Sequence, residues 1–286
     1  MWWTKMDYKR ILSVQDISCL GQCSMTVALP ILSACGLETC VLPTMVLSTH
    51  TGGLGTPVRH DLTDDIPLIA AHWLQQGISF DCISVGYLGK AKQARLVADV
   101  VEKLLTADGI LVVDPAMADH GKLYSGITSD CVEEMKVLCR RADVILPNLT
   151  EACLLTGVDY HERWSKEELC ALLTSLETQY GGTIVLTGVS FAPEDTGFAL
   201  RRGGEDRFYQ RSRVGKSYHG TGDMFASVLT GAMMQNWDVY DAAVLAAEFV
   251  ARAAEETFRA PAHAYGTKFE TALPWLVTQM QKNVDK

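Results

Sequence analysis

Short apolar runs along the chain alternate with longer stretches in which apolar residues recur every three or four positions. That is the pattern of buried strands, each followed by an amphipathic helix. Ile11 to Gln15, Thr39 to Leu42, Cys82 to Val85, Ile110 to Val113, Val144 to Leu146 and Thr183 to Thr187 read as strands. Ser24 to Ala34, Ile66 to Gln76, Ala91 to Leu105, Thr128 to Arg140, Leu149 to Leu155 and Lys166 to Gln179 carry helical spacing. Gly197 to Arg201 and Asp206 to Ser212, joined through Arg202-Gly203-Gly204-Glu205, read as an antiparallel hairpin near a sheet edge. A helix runs from about Met224 to Met234, and two more, about Asp241 to Phe258 and Phe269 to Lys282, close the chain. The alternation predicts an α/β fold of three layers, with helices on both faces of a central, mostly parallel sheet and a small antiparallel hairpin at its edge.

In such sheets ligands gather beyond the C-terminal ends of the strands. That rule selects Asp16, Ser48 to Thr51, Gly86-Tyr87, Asp114, Asn148 with Glu151, Thr187-Gly188 and Gly220 to Asp223. The last group is the most pointed. A short glycine turn entering a helix aims several amides and the positive dipole end at one spot, and Gly220-Thr221-Gly222-Asp223 adds a carboxylate there. A phosphate beside a base suits that spot, whereas a simple helix cap is the plainer account of the aspartate.

Composition narrows the class. At 286 residues, with 48% hydrophobic and 21% charged residues and no Pro/Ser-rich linker, the chain reads as one ordinary globular domain with a large core. A net charge of −9 argues against a nucleic-acid partner, so a nucleotide must be held locally, by backbone dipoles and metal. The 9 cysteines are odd in number and form no C-x-x-C pair, which points to buried free thiols in the cytoplasm and leaves a zinc site a remote second. Met1 to Arg10 holds two tryptophans among four charges with no apolar stretch after it, and no run approaches a membrane span.

Several familiar motifs fail. Gly215-Lys216-Ser217 lacks the earlier glycine of a P-loop, Gln210 standing in its place. Phe225 replaces the third glycine of a dinucleotide fingerprint, and Gly52, Gly53 and Gly55 do not follow the first strand. No zinc-protease, nucleophile-elbow or protein-kinase signature appears.

Taken together, the strand-end residues resemble the ribokinase-like superfamily, and more closely its pyridoxal kinase branch. The pieces occur in order: Ile11-Leu12-Ser13-Val14-Gln15, Leu47-Ser48-Thr49-His50-Thr51-Gly52, Gly86-Tyr87-Leu88-Gly89, Asp114-Pro115-Ala116-Met117-Ala118-Asp119, Pro147-Asn148-Leu149-Thr150-Glu151 and Gly220-Thr221-Gly222-Asp223. The resemblance implies an ATP-dependent kinase of the hydroxymethyl group of a B6 vitamer. Asp223 would be the general base, and the amides of Gly220, Thr221 and Gly222 the anion hole. It implies substrate contacts from Asp16, Thr49, His50, Thr51 and Tyr87. On the ATP side it implies Asp114, Asp119, Tyr124, Asn148, Glu151, Thr187 and Gly188, with Asp119 and Tyr124 on a flexible flap and Mg2+ near Asp114 and Glu151. A homodimer is expected; a monovalent cation such as K+ and the preferred vitamer stay open.

Plainer readings stand beside these. Asn148 and Glu151 have capping-box spacing. Asp119 reads equally as a solvated loop acid, Tyr87 as a core tyrosine and His50 as a structural histidine. The branch usually has serine where this chain has Asp16; a carboxylate favours a protonated ring nitrogen, or else caps a turn over Ile17 to Gln22. The competing functions are a hydroxymethylpyrimidine kinase, and a protein that binds a vitamer without turning it over.

Overall fold

The strand Arg10–Ser18 is buried along almost its whole length, as expected of an apolar run covered on both faces. In chain order the elements begin with β1 (Arg10–Ser18), α1 (Met25–Ala34), β2 (Glu38–Leu47), β3 (Arg59–Asp61), α2 (Ile66–Gln75), β4 (Phe80–Val85) and α3 (Ala91–Leu104). Then come β5 (Leu105–Val113), β6 (Ala118–Asp119), β7 (Lys122–Leu123), α4 (Ser129–Cys139), β8 (Val144–Ile145), α5 (Leu149–Thr156) and α6 (Lys166–Tyr180). The chain ends with β9 (Thr183–Val189), β10 (Asp195–Arg202), β11 (Glu205–Ser212), α7 (Thr221–Met234), α8 (Val239–Phe258) and α9 (Leu273–Val284). The computed structural model describes residues 8–52, 54–215, 218–260, 263 and 265–284. Most of Met1 to Arg10, together with Gly53, Lys216 and Ser217 of the failed motifs, therefore lies outside the described residues.

The chain divides into two compact units: Met1–Leu62 with Phe80–Cys82 and Val214–Lys286, and Thr63–Ser79 with Ile83–Arg213. In the first, β1 pairs in parallel with β2, and β3 adds antiparallel to β2. α1 lies against both strands and packs on α7, which packs on α8. Every residue of α7 from Met224 to Ala232 is buried, so the helix is covered on all sides directly behind its first turn.

The second unit has the strand order β11-β10-β9-β8-β5-β4. β5, β8 and β9 are parallel, and β10 and β11 form the expected antiparallel edge hairpin, closing at Arg202 opposite Glu205. Gly203 and Gly204 at φ 60° and 83° supply the two left-handed turn positions. α6 packs on β9 and β10. Ser165 starts it with a reciprocal cap: its hydroxyl accepts from the Glu168 amide while Glu168 reaches back to the Ser165 amide.

The α/β class, the mostly parallel sheet and the edge hairpin match expectation, and the differences have local causes. β3 is a three-residue edge strand of Arg59, His60 and Asp61, all exposed, so it carries no apolar signal. β5 starts five residues before the expected Ile110, because the polar stretch from Thr106 to Gly109 occupies its exposed beginning. The last helix splits into a 3-10 turn, Phe269–Ala272, and α9, because Pro274 has no N–H to donate to the Glu270 carbonyl. Among the described residues no helix is long and apolar enough to cross a membrane, and all nine cysteines are free.

Replacing the Ser165 cap tests this description of α6. Ser165→Ala should lower the unfolding free energy by about 1 kcal/mol, read from the denaturant midpoint, and an unmoved midpoint would contradict it.

Candidate active site

β1 carries Asp16 into the first unit at an interruption of its ladder with β2, where the register jumps between Gln15 and Ile17. The strand continues through Ser18, so Asp16 sits within β1 and does not cap a turn beyond it. The side chain is 2% exposed and Oδ2 accepts a 3.0 Å bond from the Ser18 hydroxyl. Burial pushes its pKa up, against the hydroxyls of Ser24 and Ser18, which hold it down.

After β1 the chain loops through Cys19 to Cys23 and enters α1. The Thr26 hydroxyl donates to the carbonyls of Gly21 and Cys23 and closes this loop. Gln22 is held from the C-terminal side: its Nε2 lies 2.9 Å from both carboxylate oxygens of Glu270, and its amide donates to the Tyr265 carbonyl. The loop fits closely over the turn that starts α7. A side chain at Gly220, which has φ 81°, would run into the Gln22 carbonyl, so this position is doubly restricted to glycine.

Asp223 lies in the first turn of α7, and its Oδ2 accepts a 2.9 Å bond from the Ser24 amide. A helix N-terminus favours the carboxylate, but burial and the nearby Asp16 charge oppose it. The opposing pair wins, and the pKa is pushed up to about 6. The first intrahelical bond at this end runs from the Met224 amide to the Gly220 carbonyl. The amides preceding Met224 have no carbonyl within the helix to reach, as at any helix start.

His50 follows β2. Its ring is buried, 5% exposed, and among the described residues neither ring nitrogen has a hydrogen-bond partner. Its centroid lies 4.9 Å from that of His219, and burial with this neighbour lowers its pKa. A Cβ on Gly21 would come within 2.5 Å of His50 Nδ1, and one on Gly52 within 2.6 Å of His219 Cε1. Bare backbone is therefore needed beside both imidazoles. Thr49 uses its hydroxyl on the His50 carbonyl, and Thr51 is exposed. The first unit thus brings together Asp16, His50 and its threonines, and Gly220 to Asp223.

The second unit gathers the other expected residues around the start of α5. Asn148 and Glu151 form the full capping box: Asn148 Oδ1 accepts from the Glu151 amide at 3.0 Å and Glu151 Oε2 from the Asn148 amide at 2.8 Å. Glu151 does more than cap. Its Oε1 accepts the amides of Met117 and Ala118, Asn148 Nδ2 donates to the Ala118 carbonyl, and the Thr150 hydroxyl accepts from the Gly121 amide. Three side chains of one helical turn thereby hold the small β6–β7 hairpin that carries Asp119 and leads to Tyr124. The segment expected as a loose flap is a hairpin tied to α5. Burial, and then the Asp114 charge, raise the Glu151 pKa well above the usual range. Asp119 is exposed and accepts from the His120 amide. The Thr187 amide donates to the Pro147 carbonyl, which sets Thr187 and the left-handed Gly188 beside Asn148; half-buried Tyr87 lies beyond the end of β4.

Sequence reasoning missed Ser24, Ser18 and His219. His219 precedes the Gly220 turn and was open to notice. Ser24 carries no local signal, because its role comes from a backbone at φ 52° and ψ −133°. Among the described residues no cluster of three His, Cys, Asp or Glu side chains is set to hold a metal.

Comparison with known proteins adds the following. The family model for phosphomethylpyrimidine kinase matches residues 44–268. A pyridoxine/pyridoxal/pyridoxamine kinase of Bordetella avium is 28% identical over 239 residues, covering 78% of this chain and 77% of the relative. The crystal structure of pyridoxal kinase from Lactobacillus plantarum has a TM-score of 0.89 at 32% identity, covering 96% of this chain and 99% of that one. A structure from Bacteroides thetaiotaomicron, in an orthorhombic form with pyridoxal, has a TM-score of 0.84 at 33% identity, covering 98% and 96%.

The raised pKa of Asp223 has a consequence for stability. An acid whose pKa rises on folding favours the fold while protonated, and that contribution is lost as pH climbs from about 4 through about 6. Asp223→Asn should therefore be more stable than the parent at neutral pH, by about 3 kcal/mol at most, with the two converging in acid. Thermal unfolding across pH checks this, and an Asn variant less stable at neutral pH would contradict it.

Proposed function

The chain belongs to the phosphomethylpyrimidine kinase family, and on that premise we propose that it transfers the γ-phosphoryl group of ATP to the hydroxymethyl group of a B6 vitamer. Asp223 is the base, and the amides of Gly220, Thr221 and Gly222 are the anion hole. The observation that carries the assignment is the Asp223 carboxylate, held by the Ser24 amide in the first turn of a buried helix, with its pKa brought up to about 6. A base works best when its pKa lies near the working pH, and a carboxylate of ordinary acidity would be the weaker acceptor.

The hydroxymethyl proton passes to Asp223 as the alcohol oxygen bonds to the γ-phosphorus. The bond from that phosphorus to the β,γ-bridging oxygen breaks, ADP leaves with that electron pair, and Asp223 returns its proton to solvent. The anion hole carries the charge on the transferred oxygens, where most of the catalysis of such transfers lies.

On the acceptor side, Asp16 faces a protonated ring nitrogen, and His50 offers two unpartnered ring nitrogens to the ring substituents. Thr49 and Thr51 complete this side, and Tyr87 of the second unit is the candidate wall for the aromatic ring. A neutral imidazole is one donor and one acceptor, so His50 can meet a ring hydroxyl and its neighbouring group. On the nucleotide side stand Asp114, Asp119, Tyr124, Asn148, Glu151, Thr187 and Gly188.

The buried Glu151 beside Asp114 fits a divalent cation, because burial and then the Asp114 charge oppose its ionisation and a cation relieves both. Asp114 is the direct ligand candidate. Glu151, whose oxygens already accept three amides, acts through water. Mg2+ bound there would neutralise charge on the phosphates. The proposal treats residues 1–286 as one kinase domain working in the cytoplasm, in keeping with nine free thiols, and as a homodimer; a K+ requirement is left to the assay.

The family's own description keeps a hydroxymethylpyrimidine acceptor as the second reading. A vitamer binder without turnover has no use for a base beside an amide-lined turn. ADP release measured with pyridoxal, pyridoxamine, pyridoxine, the pyrimidine alcohol and ribose separates these readings. Release with the vitamers is expected, and no release with any acceptor would overturn the proposal. Asp223→Asn should cut kcat by about 10² to 10⁴ while ATP affinity stays within a few-fold. Asp16→Ser should redistribute turnover among the three vitamers, whereas an unchanged profile would remove the ring-nitrogen role.

A further inference from the structure

Ser24 has the least ordinary backbone in the acceptor half. Its φ of 52° with ψ −133° is a conformation that residues with a side chain rarely adopt, and the residue is 6% exposed. From that conformation it reaches two acids at once. Its amide donates to Asp223 Oδ2 at 2.9 Å, and its hydroxyl stands with that of Ser18 against the Asp16 carboxyl. The conformation is fixed on both sides: Thr26 ties down the Gly21 and Cys23 carbonyls ahead of it, and the Val27 and Ala28 amides bond the Ser24 carbonyl behind it.

We propose that Ser24 is a positioning residue that links the ring-nitrogen end of the acceptor site to the base at the hydroxymethyl end. Its amide is assigned to Asp223 and its hydroxyl to Asp16. The inference rests on the functional reading above, and extends it by making the charge at Asp16 an input to the base.

Two titratable groups bear on Asp223: Asp16 from β1, and Cys23 from the loop ahead of α1. Cys23 stays neutral at working pH, its thiol being pushed up to about 12 by burial and by Asp223. His219, four residues before Asp223, turns its ring to His50 and Gly52. Asp16 is thus the variable neighbour. Ionised, it opposes the charge on Asp223; matched by a cationic ring, it no longer does, and the base becomes easier to ionise when a protonated ring is seated. The Ser24 amide works in the other direction, favouring the ionised base.

The test is a carboxyl titration by NMR of the full chain carrying carbon-13-labelled aspartate, the Asp223 signal being assigned by its loss in Asp223→Asn. Ser24→Thr keeps a hydroxyl but adds a β-branched side chain that this positive φ disfavours, so the backbone turns and the amide leaves the carboxylate. The Asp223 midpoint should then rise by about half a pH unit or more, whereas Ser24→Gly, which accepts this φ and keeps the amide in place, should titrate like the parent with thermal stability unchanged or increased. Asp16→Asn should move the midpoint the opposite way. Ser24→Ala keeps the side-chain restriction and loses only the hydroxyl. It should leave the Asp223 midpoint and kcat near those of the parent while raising the acceptor KM several-fold, and a merely structural serine would not divide KM from kcat in this way.

The link is overturned if Ser24→Thr titrates like the parent, if Ser24→Thr and Asp16→Asn shift in the same direction, or if Ser24→Gly shifts the midpoint as Ser24→Thr does. The titration does not depend on turnover. Absence of ADP release with every acceptor would sink the functional reading, while the NMR midpoints would still decide whether Ser24 links the two acids.

Discussion

One hydrogen bond, from the Ser24 amide to the Asp223 carboxylate, organises the candidate site of the first unit. It joins the loop after β1 to the first turn of α7, two segments about two hundred residues apart in sequence, and it is made by a backbone in an unfavourable conformation. Strain of this kind costs on the order of 1–3 kcal/mol and persists only where the surroundings enforce it. The enforcing parts are visible: Gly220 packed under the Gln22 carbonyl, Gln22 gripped by Glu270, and a helix behind Asp223 buried on every side. The result is a carboxyl poised between its two forms near neutral pH, with burial and Asp16 pulling one way, the amide and the helix end the other.

The candidate site of the second unit is built on a different principle. There a helical turn uses three side chains to fasten a hairpin, and the central acid, Glu151, has both oxygens engaged by amides. The capping box and the site reading were alternatives in sequence. In the structure one glutamate caps α5 and anchors β6–β7 together, so a capping motif need not compete with a functional one.

The alternation of buried runs and amphipathic stretches made the α/β class legible, because both faces of β1 and one face of each helix must be apolar to be covered. The rule that ligands gather at strand ends then selected Asp16, His50, Asp114, Asn148 and Asp223 as candidates without any contact being known. What escaped lacked a side-chain signature. β3 is wholly polar, the β6–β7 hairpin is held by a partner thirty residues on, and the start of β5 looks like a turn. Ser24 escaped for a deeper reason: its contribution is a dihedral angle, and nothing about a serine before a helix announces that its φ is positive. The resemblance to a kinase family supplied roles, and the structure supplied the reasons those residue types suit them.

The central claim is that a carboxyl tuned by its surroundings accepts the proton of the attacking alcohol. The most direct measurement is kcat/KM for the acceptor from about pH 4 to about pH 8 at saturating ATP, corrected for the acceptor's own ionisation, because this parameter reports the free enzyme. The account predicts one acidic limb with a midpoint near 6 and a plateau above it. A rate that is flat over that range, or a limb at the ordinary carboxylate position, would contradict it.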